Sequence, residues 1–241
     1  MQNNNLEKTV GHIHPISQMI REIHEIFKSI GYDIAFGPEL ETEYYNFDAL
    51  NVPADHSSRD MQDTFWLKAD PKSITPDKLL MRTHTSPVQI RYMENNKPPL
   101  KVIMPGRVFR NEATDATHEA NFFQLEGLCV GVDITMKDLK GLLEYFFEKF
   151  FGENVQVRFR PSYFPFVEPG VEVDVFTKGK WMEVMGAGMV HPKVLSGVGI
   201  DPNEYRGFAF GLGLDRFAMI KYGIPDVRML YQPDLRIFNQ F

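Results

Sequence analysis

The densest set of chemically capable side chains lies between residues 106 and 127, in the run GRVFRNEATDATHEANFFQLEG. On a strand, alternate side chains share a face. Alternation predicts that Arg110 and Glu112 project together and that Phe122, Gln124 and Glu126 share one face of the returning strand. Each of these alone suits a solvated sheet face with paired charges. Together they exceed what packing needs, because Leu125, Leu128 and Val130 already supply the core face. A second set, YFPFVEPG at 163–170, places Phe164, Phe166 and Glu168 at period 2. A third, GFAFGLGLDR at 207–216, sets Ala209 and Gly211 opposite Phe208 and Phe210, which leaves one strand face nearly bare. A bare face marks the close approach of a helix or a ligand. Gly213 then opens a helix carrying Arg216 in its first turn. Other chemistries are excluded. The chain holds no G-x-x-x-x-G-K-[ST] phosphate loop, no H-E-x-x-H, no G-x-S-x-G and no Cys/His ligand spacing.

The elements that must position these sets follow from periodicity. Pro15 suits a first helical turn, and Ile16, Met19, Ile20, Ile23, Phe27 and Ile30 form a 3.6-residue stripe closed by Gly31. Tyr32 to Phe36 is extended. Residues 48–80, rich in Asp, Pro and Ser, form a long excursion ordered by Phe65, Trp66 and Leu67. Lys101 to Phe109 and Phe122 to Val132 are two strands joined by a polar loop. Thr135 opens a second helix with Leu139, Leu142, Leu143, Phe146, Phe147 and Phe150 on its buried side. Alternation marks further strands from Val155 to Arg160 and from Val171 to Phe176. Trp181 to Met185 and Gly207 to Phe210 add two more, and Leu214 to Tyr222 is a closing helix. Strands in succession with helices early, midway and late predict an α+β fold with a mostly antiparallel sheet.

Of 241 residues, 43% are apolar and 24% charged, which excludes a wholly disordered chain. The net charge of −6 excludes a general electrostatic nucleic-acid coat, though not a local basic site. The single cysteine, Cys129, permits no internal disulfide and reads as a buried thiol. His12, His14 and His24 lack a ligand-like partner set, so structural roles are expected. No apolar stretch reaches membrane-spanning length and the first residues lack a signal-peptide core, so a cytoplasmic protein is expected. No linker divides the chain, and one domain over 1–241 is expected.

In order and number, these runs resemble the catalytic core of the α subunits of bacterial phenylalanyl-tRNA synthetases, a class II aminoacyl-tRNA synthetase family. The resemblance covers residues 11–241. It is carried by GHIHP (11–15), GPELE (37–41), NFDALNVP (46–53), DTFW (63–66), RTHTSPVQIR (82–91), FRNEATDATHEANFFQLEG (109–127), FRPSYFPFVEP (159–169), GAGMVHP (186–192), GFAFGLGLDR (207–216) and DLR (234–236). Asp215 stands where the family commonly has Glu, and HSSR at 56–59 replaces a commoner HPAR. No counterpart is expected here of the long helical arm that precedes the family's core and grips tRNA.

The resemblance implies ATP-dependent activation of L-phenylalanine to phenylalanyl-adenylate and transfer to tRNA(Phe), beside a β subunit in an α2β2 assembly. It implies a role for each matching residue. Arg110 would stabilise charge on the α-phosphate, and Glu112 would hold the adenine amino group or a metal. His118 would meet the triphosphate, and Phe122 and Arg216 would sandwich the adenine, with Arg110 and Arg216 as the catalytic pair. Gln124 and Glu126 would accept the substrate ammonium with His84 and Ser86 nearby. Phe164 and Phe166 would contact the ring and Ala209 would floor its slot. Mg2+ would be held by Glu168, whose matching position shares the ion with the β subunit, and by Glu183. Two other readings stay open: an enzyme of the same fold that makes adenylate for another acceptor, and a regulatory module that has lost catalysis. The joint presence of Arg110, Glu112, Gln124, Glu126 and Arg216 argues against the latter.

Overall fold

A computed structural model describes residues 11–54, 64–68, 78–177 and 179–241. Helix α1 (Pro15–Lys28) is capped by His14, whose Nδ1 accepts the Ile16 N–H while Nε2 donates to the Leu230 carbonyl. Strand β1 (Asp33–Ile34) follows, then β2 (Leu40–Thr42) and the short helix α2 (Glu43–Asn46). A 3-10 turn over Asp48–Leu50 leads into the excursion. Its residues 55–63 and 69–77, and with them HSSR, lie outside the described residues. Within it Trp66 bridges to Leu80 of β3 (Leu79–Met81), and β3 pairs with β2. Helix α3 (Ser86–Asn95) leads to the hairpin of β4 (Leu100–Phe109) and β5 (Asn121–Gly131). Helix α4 (Met136–Phe151) opens at Thr135 with a capping box in which Thr135 and Asp138 satisfy each other's backbone N–H. The chain then runs through β6 (Gln156–Phe164), β7 (Val167–Thr177), β8 (Lys180–Val190), α5 (Pro192–Gly197) and β9 (Arg206–Gly213). Helices α6 (Leu214–Tyr222) and α7 (Leu235–Phe238) close it.

Seven strands make one sheet in the order β1-β4-β5-β9-β8-β7-β6. Only β1 runs parallel to its neighbour; the other pairs are antiparallel. The sheet has two unlike faces. Ile103, Leu125, Cys129, Val173, Ala187, Phe208, Phe210 and Leu212 point to a core built with α1, α4 and α6, where Phe27, Phe146, Phe147 and Phe217 are fully buried. The other face is covered over its β4–β5 half and, at the Val190 end of β8, by Val194, Leu195 and Ile200. Over the β4–β5 half Val102, Met104, Leu128 and Val130 pack beneath Phe47, Leu50, Val88, Ile90 and Met93. Between these parts, over Gly186 and Gly211, the described residues leave the face open.

Two expectations need correction. The ladder of the hairpin stops at Phe109, so Arg110 and Glu112 lie in the connecting loop and not on strand β4. Phe164 and Phe166 are not alternate residues of one strand either: β6 ends at Phe164, and a turn at 165–166 swings Phe166 back beside it.

Candidate functional site

Strand register assembles a single row across the open face. Met104 lies opposite Glu126, Glu126 opposite Gly211, Gly211 opposite Gly186, and Gly186 opposite Glu172. The two glycines in the middle leave a floor without side chains. Ala209 is one step further along the same face of β9, opposite Gly188. Above this floor is a cavity of ≈ 400 Å³, within the range of small-molecule sites. It is lined by His84, Ser86, Arg110, Gln124, Glu126, Phe164, Phe166 and Ala209, so eight of the expected residues meet in one place.

Its polar wall is built by the segment 82–89 against β5. Arg82 anchors that segment: Nε donates to the Arg107 carbonyl at 2.7 Å and Nη1 to the Gly37 carbonyl at 3.2 Å. Asn46 of α2 pairs with Thr83 through both amide atoms. Glu126, only 4% exposed, accepts the Thr85 N–H at 3.1 Å and the Gln89 amide at 2.5 Å. Burial pushes its carboxyl pKa up, and hydrogen bonds from Ser86, Gln89 and Thr85 oppose the rise. A carboxylate so desolvated gains from a cation brought to it. Beside it, the buried Gln124 Oε1 has no hydrogen-bond partner among the described residues. A buried acceptor left unpaired is costly, so this edge of the cavity suits a donor-rich ligand group such as an ammonium. His84 is held neutral: burial first, then the Arg110 charge, lower its pKa to about 3.

The opposite wall is aromatic. Phe164 and Phe166 stack with centroids 5.9 Å apart, and Val167 continues the surface. Phe164 stands close to the floor, since a methyl built on Gly186 would lie 3.0 Å from its Cζ. The slot between this wall and Ala209 is apolar and suits a planar ring.

Arg110 stands at the mouth. Its backbone N–H bonds to the Ala120 carbonyl across the loop, its Nε donates to the Thr83 carbonyl at 3.2 Å, and its guanidinium lies 5.1 Å from the Phe122 ring centroid. Glu112 is 4.0 Å away, a distant pair that leaves the guanidinium fork open to an oxyanion. Burial lowers the Arg110 pKa, with Glu112 and Glu126 opposing. The cavity is therefore polarised, with acceptors at one edge, a cation at the mouth and an apolar slot between them.

The other expected residues stand apart from the cavity. Arg216 is exposed in the first turn of α6, at the same end of the sheet as Phe122, because Gln124 pairs with Gly213. Asp215 ties these two elements together: it is buried, it accepts the Phe123 N–H at 2.7 Å, and it bonds the Tyr231 hydroxyl. His118 sits exposed at the hairpin tip, with Nδ1 3.0 Å from Asp115. Glu183 is ion-paired to Arg160 at 3.2 Å, in a network that also holds Arg158, Glu172 and Asp174. Glu168 is 76% exposed, 3.5 Å from His191. The two carboxylates are thus not brought together, and among the described residues no group of three or more His, Cys, Asp or Glu side chains is arranged to hold a metal.

Sequence reasoning missed Gln89, which lines the cavity and fixes Glu126. Its signal was the spacing of three from Ser86, which puts both on one face of a helix. It also missed Phe47 and Val52, cavity-lining residues on either side of the Asp48–Leu50 turn.

Comparison with known proteins places this geometry. The family model "tRNA synthetases class II core domain (F)" matches residues 2–241. The phenylalanine–tRNA ligase α subunit of Caldicellulosiruptor saccharolyticus is 55% identical, over 96% of this chain and 69% of that protein. The α subunit from a Synechocystis species is 52% identical, over 96% and 67%. Among solved structures, the pyrrolysyl-tRNA synthetase of Desulfitobacterium hafniense superposes with a TM-score of 0.71 at 18% identity, covering 94% of this chain and 76% of that one, a likeness of fold. No helix among the described residues is long and apolar enough to cross a membrane. A seven-stranded sheet with the site on its open face, a family model spanning almost every residue, and relatives at half identity agree: the chain belongs to the class II tRNA synthetase core family, among the phenylalanine–tRNA ligase α subunits.

Proposed function

We propose that the chain activates L-phenylalanine with ATP and passes the phenylalanyl group to tRNA(Phe), working as a catalytic α subunit beside a β subunit. The observation that carries this reading is the polarised cavity. Glu126 and Gln124 offer acceptors to the ammonium, Phe164, Phe166 and Ala209 offer a slot to the ring, and Arg110 faces the end where a carboxylate would emerge. In the first step a carboxylate oxygen forms a bond to the α-phosphorus of ATP, and the bond to the pyrophosphate oxygen breaks. Negative charge grows on the phosphoryl oxygens. A guanidinium fixed by Thr83 and already partly desolvated binds that charge more strongly in the transition state than in the ground state. Phe122 supplies a ring face for the adenine, and Arg216 a cation at the same end of the sheet.

Magnesium accompanies ATP in such chemistry, but the donors at the two expected residues do not form a protein-built site for it. Glu183 is engaged by Arg160, and Glu168 is an exposed carboxylate whose near neighbour is His191 and not a second carboxylate. Mg2+ prefers oxygen ligands supplied by phosphates and water with one or two carboxylates. In this reading it arrives with the nucleotide, and no residue of the chain is given a step through it.

The test is phenylalanine-dependent ATP–pyrophosphate exchange with the β chain supplied. Exchange in the natural protein and its loss in Arg110→Ala are the expected results. An active Arg110→Ala variant removes Arg110 from the mechanism. Absence of phenylalanine-dependent exchange in the natural protein refutes the reading.

A further inference from the structure

The aromatic wall of the cavity is held by a residue that does not itself line the cavity. The turn after α2 ends at Asn51, whose φ of 59° and ψ of 29° lie in the left-handed region. Asparagine is among the few non-glycine residues that take this conformation readily. Its Nδ2 donates to the Pro165 carbonyl at 2.6 Å, across a separation of 114 residues. Pro165 is the residue between Phe164 and Phe166, so the bond grips the backbone midway between the two stacked rings. A second tether lies one residue further on, where the Phe166 carbonyl accepts the His191 N–H at 2.9 Å. The neighbours of Asn51 complete the arrangement, since Phe47 and Val52 both line the cavity. Phe164 already stands at contact distance from the Gly186 floor, so the width of the slot depends on where this turn is held.

We infer that Asn51 is a positioning residue for amino-acid recognition: by holding the Pro165 carbonyl it fixes the Phe164–Phe166 wall against the floor, and so sets the width of the ring slot. This rests on the phenylalanine reading above. Asn51 and Pro165 share no hydrogen bond with Arg110, which is held by the Thr83 carbonyl and stands over Phe122, so loss of the bond acts on the amino acid and not on the nucleotide.

Two substitutions separate the hydrogen bond from the backbone. Asn51→Gly adopts the positive φ without strain and removes the donor. Asn51→Asp keeps the left-handed preference and places a carboxylate against the carbonyl. Both are measured with the β chain supplied, by ATP–pyrophosphate exchange at varied phenylalanine and at varied ATP, with thermal unfolding alongside. The expected result is a rise in KM for phenylalanine of about two- to tenfold, the worth of one net hydrogen bond. Discrimination against para-chlorophenylalanine should relax by a similar factor, the KM for ATP should be unchanged, and Asn51→Asp should be the more affected variant. An unchanged KM for phenylalanine in both variants overturns the inference. So does a parallel rise in both KM values, or a loss of activity that follows the melting temperature alone. Natural protein that shows no phenylalanine-dependent exchange overturns the functional reading itself, and is distinguished by failing before any variant is compared.

Discussion

Gly211→Ala tests the acceptor edge of the cavity most sharply, because it adds one carbon and nothing else. Gly211 lies between Glu126 and Gly186 in the row of the open face. A methyl there would stand 3.1 Å from Glu126 Cγ and 3.4 Å from Gln124 Nε2. Those distances require neighbours to yield by a few tenths of an ångström. Glu126 has little freedom to yield, since one carboxylate oxygen accepts the Thr85 N–H and the other the Gln89 amide. The methyl therefore occupies space beside the acceptors and keeps an ammonium from closing on them. Loss of one charge-assisted hydrogen bond costs about 1.5–3 kcal/mol, or roughly 10- to 150-fold in kcat/KM for phenylalanine. Overpacking also costs stability, on the order of 1–3 kcal/mol, so thermal unfolding is recorded with the kinetics. The assay is phenylalanine-dependent pyrophosphate exchange at saturating ATP, followed by ATP titration at saturating phenylalanine. The expected pattern is a collapse confined to the amino acid, with KM for ATP unchanged. A folded variant whose kcat/KM for phenylalanine stays within about threefold of the natural value, far short of one charge-assisted bond, would show that the ammonium is not held at Glu126 and Gln124.

Three further outcomes concern stability. Gly141 is exposed within α4, and a methyl there would meet nothing within 4 Å, so Gly141→Ala should raise the urea-derived unfolding free energy by about 0.5–1 kcal/mol; a decrease would mean that the helix is not formed there. Tyr231→Phe removes the hydroxyl from the buried Asp215 carboxylate, which keeps the Phe123 N–H, and should cost about 1–3 kcal/mol in the same measurement. His84, held neutral with its pKa lowered to about 3, takes up a proton in the unfolded chain near the ordinary histidine value while the folded protein refuses it, so stability falls as pH drops through that window. Between pH 7 and 5 this contributes a loss of about 2 kcal/mol, which His84→Gln should abolish whatever its effect at pH 7; an equal slope in the variant would contradict the assignment.

The strand-borne part of the site was legible because its strands are long and one face must be buried. Phe208, Phe210 and Leu212 go to the core, which sends Ala209 and Gly211 to the other side, and Leu125 does the same for Gln124 and Glu126. Alternation failed where the ladder stops. Past Phe109 the orientation of Arg110 is set by the Thr83 carbonyl and by the Ala120 carbonyl across the loop, contacts that no period in the sequence encodes. The Phe164–Phe166 pair kept its destination although its reason changed, a turn in place of a strand. Helix α3 escaped periodicity because it is buried on several sides, with Val88, Ile90 and Met93 in the core and Gln89 in the cavity.

What no local pattern holds is the order of the strands. β9 is the last strand in the chain, yet it lies between β5 and β8, and only this insertion sets Gly211 beside both Glu126 and Gly186. A bare floor needs two glycines side by side, and each alone reads as an ordinary turn or bulge residue. The acceptors on one side and the aromatic wall on the other then belong to segments far apart in sequence, joined through that floor and through long-range bonds such as Asn51 to Pro165. The two faces of the sheet accordingly respond to substitution in different ways. A change on the core face, at Phe208 or Leu212, acts through packing and is read in stability. A change of one carbon on the open face, at Gly211 or Gly186, meets Glu126 or Phe164 directly and is read in the choice of ligand.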